Sequence, residues 1–394
     1  MHFALTSEQE LARNALRELL TEHCTAAQLR RVFEADEPVR VPGLWAKLHE
    51  LGVIGALAPE AVGGLGLNAI DLTVLLEETG RAGVPELVVE TAAVAVPLLA
   101  ALPNEPRAAQ ALEQILAGEL SVTTALGPVG IARAGLGLGG ESAAGAEQHT
   151  QHPSPALTDG AAGAPLSRGR SAEPQVLAPD AVLAGFVLCE HRGEVHLRNA
   201  RQVRLAPVES VDRARRLYSV DLDASTSAAT RLAAGPLAQQ LLAAARDHAA
   251  LGTAAQLVGL GHRMLDLTIN HVKTRKQFGQ AIGVFQAVKH QLVDARLALE
   301  FASPLVYRAA HSIAHEDPER SLHVSMAKAF ASEAALLAAR KALQLHGAIG
   351  YSYEYALQLY MKRAWALAAA HGDALAHRTR IAEVMLTAQG ERYA

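Results

Sequence analysis

From about Leu232 to Met385 apolar residues recur at helical spacing through long alanine- and leucine-rich runs, too varied in spacing for a coiled coil or a fixed-length repeat. This tract therefore reads as helical, and it is broken once in a telling place. The stretch NHVKTRKQFGQAIGVFQAVKHQLVDARLALEFA, Asn270 to Ala302, is two helical runs around a short loop holding an arginine, a phenylalanine and two glycines. A second helical region runs from Thr6 to about Gly118, where Leu11, Ala15, Leu16, Leu19 and Leu20 share the period and Ser7 is a plausible cap. Turn signals at EADEPVRVPG and PEAVGGLGLN separate its runs. Between the two, from about Ser121 to Ser227, the period changes: SVTTAL, VLAGFVLCE, EVHLRN and RLYSVDLD are short β-rich runs bounded by turn formers. The expected fold is mainly α with a central β domain, divided as 1–120, 121–228 and 229–394.

With 394 residues, half of them apolar, the chain exceeds what one hydrophobic core organises. Lysine plus arginine (36) nearly balance aspartate plus glutamate (40), so no global field favours nucleic acid or an anionic membrane. Cys24 and Cys189 lie far apart with no zinc or CxxC spacing, as in a reduced cytoplasmic protein. The longest apolar run, TAAVAVPLLAAL, is too short to span a bilayer and contains Pro97. A cytoplasmic protein with neither membrane nor nucleic acid as partner is expected. The segment 130–174 has almost no bulky apolar residue and reads as a long flexible loop; its GLGLGG, Gly135 to Gly140, matches GxGxxG without the preceding strand and following helix that a dinucleotide fingerprint needs.

Other features have plain readings. His311 and His315 are four apart on a helix, but no third ligand is evident and no metal is expected. The arginine-rich ESVDRARRLYSVDL reads as a solvated strand edge, with a CoA phosphate or partner contact as the rarer use.

Five segments in one order carry a family resemblance. FALTSEQELARNALREL, LWAKLHELGVIGALAPEAVGGLGL, LTVLLEETGRAGVP, TRKQFGQAIGVFQAVKHQLVD and QLHGAIGYSYEYALQLYMKRAWAL together resemble the flavin-dependent acyl-CoA dehydrogenases, the last two matching RxQFG and QxHGGxGY signatures. The resemblance covers nearly the whole chain except the loop 130–174. It implies a helical N-terminal domain, a small β-barrel or sheet domain and a C-terminal four-helix bundle. It also implies FAD as cofactor, an acyl-CoA substrate and an electron-transfer acceptor.

A flavin dinucleotide asks for cationic or N–H donors at its pyrophosphate and apolar packing beside its rings. By the resemblance Arg275, Gln277, Phe278, Gly279, Gln344 and Gly347 are the cofactor residues, reaching across a subunit interface to a flavin seated mainly on a neighbouring chain. The plain alternative makes Phe278 a core residue and Arg275 a solvated helix-end charge. The family's TEPxxGSD-like turn and β-domain tryptophan are missing: the comparable place reads GPVGIARAG, and the only tryptophans are Trp45 and Trp365. The chain's own flavin seat is thus expected to be weak or empty.

No catalytic residue is certain. Counting from Met361 and Arg363, the family's glutamate falls on His371, followed by Gly372; the subgroup's alternative position falls near Ala250. Histidine can act as a base, yet it is shorter than glutamate and reads better as structural. Asp247 and Asp373, the other nearby acids, read as surface charges. Three functions stay open: the subunit that completes the flavin site of a homologous dehydrogenase in a heterotetramer, an autonomous homotetrameric enzyme with an atypical base, and a repurposed fold with a binding or non-dehydrogenase flavin role.

Overall fold

A capping box starts the first helix. In the computed structural model, which describes residues 4–127, 176–222 and 228–393, Thr6 accepts from the Gln9 amide and the Gln9 side chain accepts from the Thr6 amide. Thr6, not Ser7, is the cap of α1 (Ser7–His23). Four further α-helices of the N-terminal region are α2 (Ala26–Glu34), α3 (Leu44–Glu50), α4 (Ala69–Ala82) and α6 (Pro106–Leu116). Between α4 and α6 the apolar run is buried as a π-helical turn, Val89–Ala95, that continues into α5 (Val96–Ala100). Pro97 lies at the start of α5, directly after the π-helical turn.

The middle of the chain makes two open sheets, not a closed barrel, among the described residues. One has the order β1 (Val122–Ala125), β3 (Phe186–His191), β4 (Glu194–Asn199), β7 (Arg231–Ala233). Its β1–β3 pair is parallel, with Val122 opposite Phe186, and its other pairs are antiparallel. The other sheet has the order β2 (Leu177–Pro179), β6 (Leu217–Asp221), β5 (Arg204–Val208). A small core of Ala125, Ala178, Val187, Cys189, Tyr218 and Val220 joins residues of both. The expected loop 130–174, with its GLGLGG, lies outside the described residues.

The C-terminal helices are α7 (Gly235–Thr274), α8 (Gln286–Ala314), α9 (Arg320–His346), α10 (Leu357–Ala369) and α11 (Ala374–Tyr393). Helix α9 packs on each of the other four. Ala327, Ala331, Ala335, Ala338 and Ala342 line one buried stripe of α9, while Phe330, Arg340 and Gln344 are exposed on the opposite face. The crossing of α4 and α7 is closer still. A Cβ on Gly259 would lie 2.0 Å from the Glu77 carbonyl oxygen, and one on Gly80 2.1 Å from that of Gln256, so glycine permits backbone contact from both sides.

Candidate functional site

The loop after α7 is a two-residue hairpin, β8 (Lys276–Gln277) and β9 (Gln280–Ala281), turning on Phe278 and Gly279. Both turn residues are left-handed, with φ of 53° and 80°, the requirement of a type I′ turn. Glycine meets it freely; phenylalanine does so against its own sterics. Phe278 is 91% exposed, so the core reading of this residue fails. Its ring meets Phe285 edge-on at 6.1 Å, forming an apolar knob in solvent. Arg275 and Gln277 are exposed beside it, and the Arg275 guanidinium has no ion-pair partner among the described residues.

The second predicted segment ends α9. Gln344 is exposed, and Gly347 holds φ 65° and ψ −148°, a region open in practice to glycine alone. The two segments meet through histidines. His271, four residues before Arg275, stacks on His346 at 4.3 Å between ring centroids, and His346 bonds to the Ala342 carbonyl at 2.8 Å and the Tyr355 hydroxyl at 3.2 Å. Burial keeps both imidazoles below their usual pKa, with the Arg275 cation adding to the effect at His271. The sequence reading missed His271 and Tyr355 as the link; only His346, inside the QLHG signature, carried a local signal.

His371 occupies the turn between α10 and α11, at φ 54°, with Gly372 at φ 93°. A fully buried lysine fixes this turn: Lys328 Nζ donates to the carbonyls of Ala368 (3.0 Å) and Gly372 (2.9 Å) and to Ser332 Oγ (3.1 Å). His377 Nε2 lies 3.0 Å from the His371 carbonyl. Burial pushes the His371 pKa down to about 3, helped by Arg215, Lys328 and His377. Such an imidazole is neutral but has little affinity for a substrate proton. Lys328 precedes Gln344 by roughly 24 Å along α9, so the turn and the hairpin segments belong to different levels of the bundle.

The two nearby acids differ. Asp373 is exposed and caps α11 through the Ala376 amide at 2.8 Å. Asp247 is not the surface charge expected: it is buried on α7, accepts from Ser321 Oγ at 2.5 Å and pairs with Arg380 at 3.4 Å and Arg320 at 3.9 Å. It ties α7 to α9 and α11, with burial raising its pKa. Ala250, the alternative base position, is core.

The arginine-rich span is also not a solvated edge. Asp212 is buried against Arg363 of α10, whose Nη1 donates to the Val84 carbonyl at 2.7 Å. Arg215 pairs with Glu90 at 3.3 Å, and Arg216 reaches the carbonyls of Ala35 and Asp36. Sequence reasoning missed this because each partner is more than a hundred residues away. Asp180, at φ 45°, accepts from the Arg216 amide at 3.0 Å, and burial pushes its pKa up to about 7. These side chains leave a cavity of about 10 Å³ lined by Glu90, Asp180, Arg215, Gln256, Arg363 and Leu367. Arg215, one wall of it, is also the cation that acts most strongly on His371.

Elsewhere His311 and His315 stack on each other at 3.9 Å, and no group of three or more metal-ligating side chains occurs among the described residues. Cys24 and Cys189 are free and buried, their thiols pushed up to about 12 and about 11 by burial. No helix among the described residues is long and apolar enough to cross a membrane.

Comparison with known proteins identifies the family and the fold. Profiles described as the acyl-CoA dehydrogenase N-terminal and C-terminal domains match residues 6–119 and 227–386. Acyl-CoA dehydrogenase IpdE2 of Mycolicibacterium smegmatis is 29% identical over 376 residues, covering 94% of each chain. Its Mycobacterium tuberculosis counterpart is 28% identical, covering 93% of this chain and 92% of that one. Among solved structures, the ChsE4-ChsE5 complex from Mycobacterium tuberculosis superposes with a TM-score of 0.77 at 20% identity, covering 98% and 99% of the two chains. A variant of the Tcur3481-Tcur3483 steroid ACAD gives 0.78 at 23%, covering 97% and 99%.

Proposed function

The chain belongs to the acyl-CoA dehydrogenase family, and from that premise we propose that it is the subunit that completes a homologous partner's FAD site in trans and carries no catalytic base of its own. The observation that carries this reading is Phe278: an apolar ring 91% exposed, at a backbone angle it disfavours, beside an uncompensated Arg275. A strained exposed aromatic is best explained by a surface it covers in an assembly. Arg275 and Gln277 would hold the pyrophosphate end of the cofactor, Gly347 would allow close backbone approach, and Phe278 would pack beside the rings. Bound FAD would supply the hydride acceptor for α,β-dehydrogenation of a CoA thioester.

At His371 the family's proton acceptor is replaced by an imidazole that burial, with the Arg215 and Lys328 cations, keeps neutral. The residues here hold a turn in place and leave proton removal to the partner. The similarity to a two-component complex and to a steroid dehydrogenase pair supports a heterotetramer acting on a bulky, steroid-like CoA thioester, passing electrons to a separate acceptor. A homotetramer using His371 is the rival.

Bound flavin and turnover decide between them. The chain purified alone should hold little FAD and show no dehydrogenation; co-expressed with a glutamate-bearing homologue it should carry one flavin for each pair of chains. Arg275→Ala should then release flavin at least about tenfold more readily, since a charge-assisted hydrogen bond contributes roughly 1.5–3 kcal/mol. Stoichiometric flavin and turnover in the lone chain, abolished by His371→Ala, would establish the rival instead.

A further inference from the structure

A pocket of about 130 Å³, between the end of α1, the start of α2, the end of α4 and the middle of α7, takes no part in the flavin function. Three guanidinium groups line it. Arg17 forks onto Glu78, with Nε to Oε2 at 2.8 Å, and Arg81 pairs with Asp266, so each carboxylate is matched by one arginine. Arg263 is left over. Its guanidinium lies over the Tyr360 ring, 5.5 Å from the centroid, and has no hydrogen-bond or ion-pair partner among the described residues. Ala26, the first residue of α2, lines the same pocket. The first amides of a helix have no intrahelical acceptor; Thr25 Oγ1 takes that of Gln28 at 3.3 Å, and the Ala26 amide has no partner among the described residues.

The geometry points to a binding site for a phosphate-class dianion, held by the fork of Arg263 with support from Arg17, Arg81 and the Ala26 amide. Arg17 and Arg81 are each engaged by a carboxylate, Glu78 lining the pocket itself, whereas Arg263 is engaged by none, and a half-buried guanidinium held over a ring is pre-ordered for a tetrahedral oxyanion. The N-terminal end of α2 adds a favourable dipole. Arg263 precedes Arg275 by about three helical turns, roughly 18 Å along α7, so the site stands apart from the flavin segments.

Two sources share this chemistry: free phosphate and a phosphomonoester on a nucleotide. The test is calorimetric titration of the full chain at low ionic strength with inorganic phosphate and, separately, with adenosine 3′,5′-bisphosphate. Saturable binding of at least one probe is expected, weakened about tenfold or more in Arg263→Gln, with the melting temperature in phosphate-free buffer little changed. Tighter binding of the nucleotide assigns the site to a nucleotide-borne phosphate; equal or tighter binding of inorganic phosphate assigns it to the free ion. Should Arg263→Gln not fold, Arg263→Lys, which keeps the charge but loses the fork, takes its place with a smaller loss expected. No saturable binding of either probe, or unchanged affinity in whichever variant folds, overturns the proposal. Flavin is not read in this titration, so its failure leaves the reading of the hairpin untouched.

Discussion

Phe278 holds a φ of 53° with its ring in solvent, and a residue so placed gives up stability in the isolated chain. Asparagine tolerates the left-handed region, so Phe278→Asn should stabilise the lone chain by about 1 kcal/mol in urea unfolding while weakening flavin retention in the assembled complex. A variant less stable alone would show that the ring packs within its own chain. Lys328 makes the opposite kind of statement. Burial lowers its pKa to about 7, from an ordinary value of 10.5, so from pH 7 upward the unfolded chain binds a proton that the folded chain does not. Folding stability from this group therefore rises with pH, by up to about 1.4 kcal/mol per unit. Between pH 7 and 9 this rise is opposed at the lower end by Asp180, which titrates at about 7, and at the upper end by Cys24 and Cys189, whose unfolded thiols begin to ionise near 9.0, so it is read as the difference between the natural chain and a Lys328 variant. Lys328→Met should abolish the rise, read as urea midpoints at pH 7, 8 and 9; a rise of the same size in the variant would place its origin elsewhere.

At the scale of elements, the long helices were readable because a 3.6-residue period over many turns cannot be mistaken, and β3, β4 and β6 because they are β-rich runs closed by turn residues. Three-residue strands such as β2 and β7 carry no period and take their form from partners far along the chain. The same limit applies to the site. RKQFG and QLHG are local strings and could be found by resemblance, whereas the burial of Asp247 and of the span around Asp212 depends on contacts from α9, α10 and α11. Closeness between helices is equally silent in a single sequence. Gly259→Ala should make that closeness measurable: its methyl would meet the Glu77 carbonyl at 2.0 Å, forcing α4 from α7 and costing about 1–3 kcal/mol in unfolding free energy. A neutral substitution would mean that the crossing relaxes without loss.

At the scale of the molecule, the span from Asp212 to Arg216 joins the N-terminal helices, the sheets and the C-terminal helices among the described residues. Asp212 binds Arg363 in the C-terminal helices, Arg215 binds Glu90 in the π-helical turn, and Arg216 binds the carbonyls that end α2. No region can leave without exposing a charge whose counter-ion stays behind, which costs several kcal/mol for a buried pair. Heat should consequently melt the chain in one step, with the calorimetric enthalpy equal to the van't Hoff enthalpy. Asp212→Ala should break that equality and split the endotherm, the sheets giving way before the helices; a single endotherm in the variant would show that the apolar core alone enforces unison.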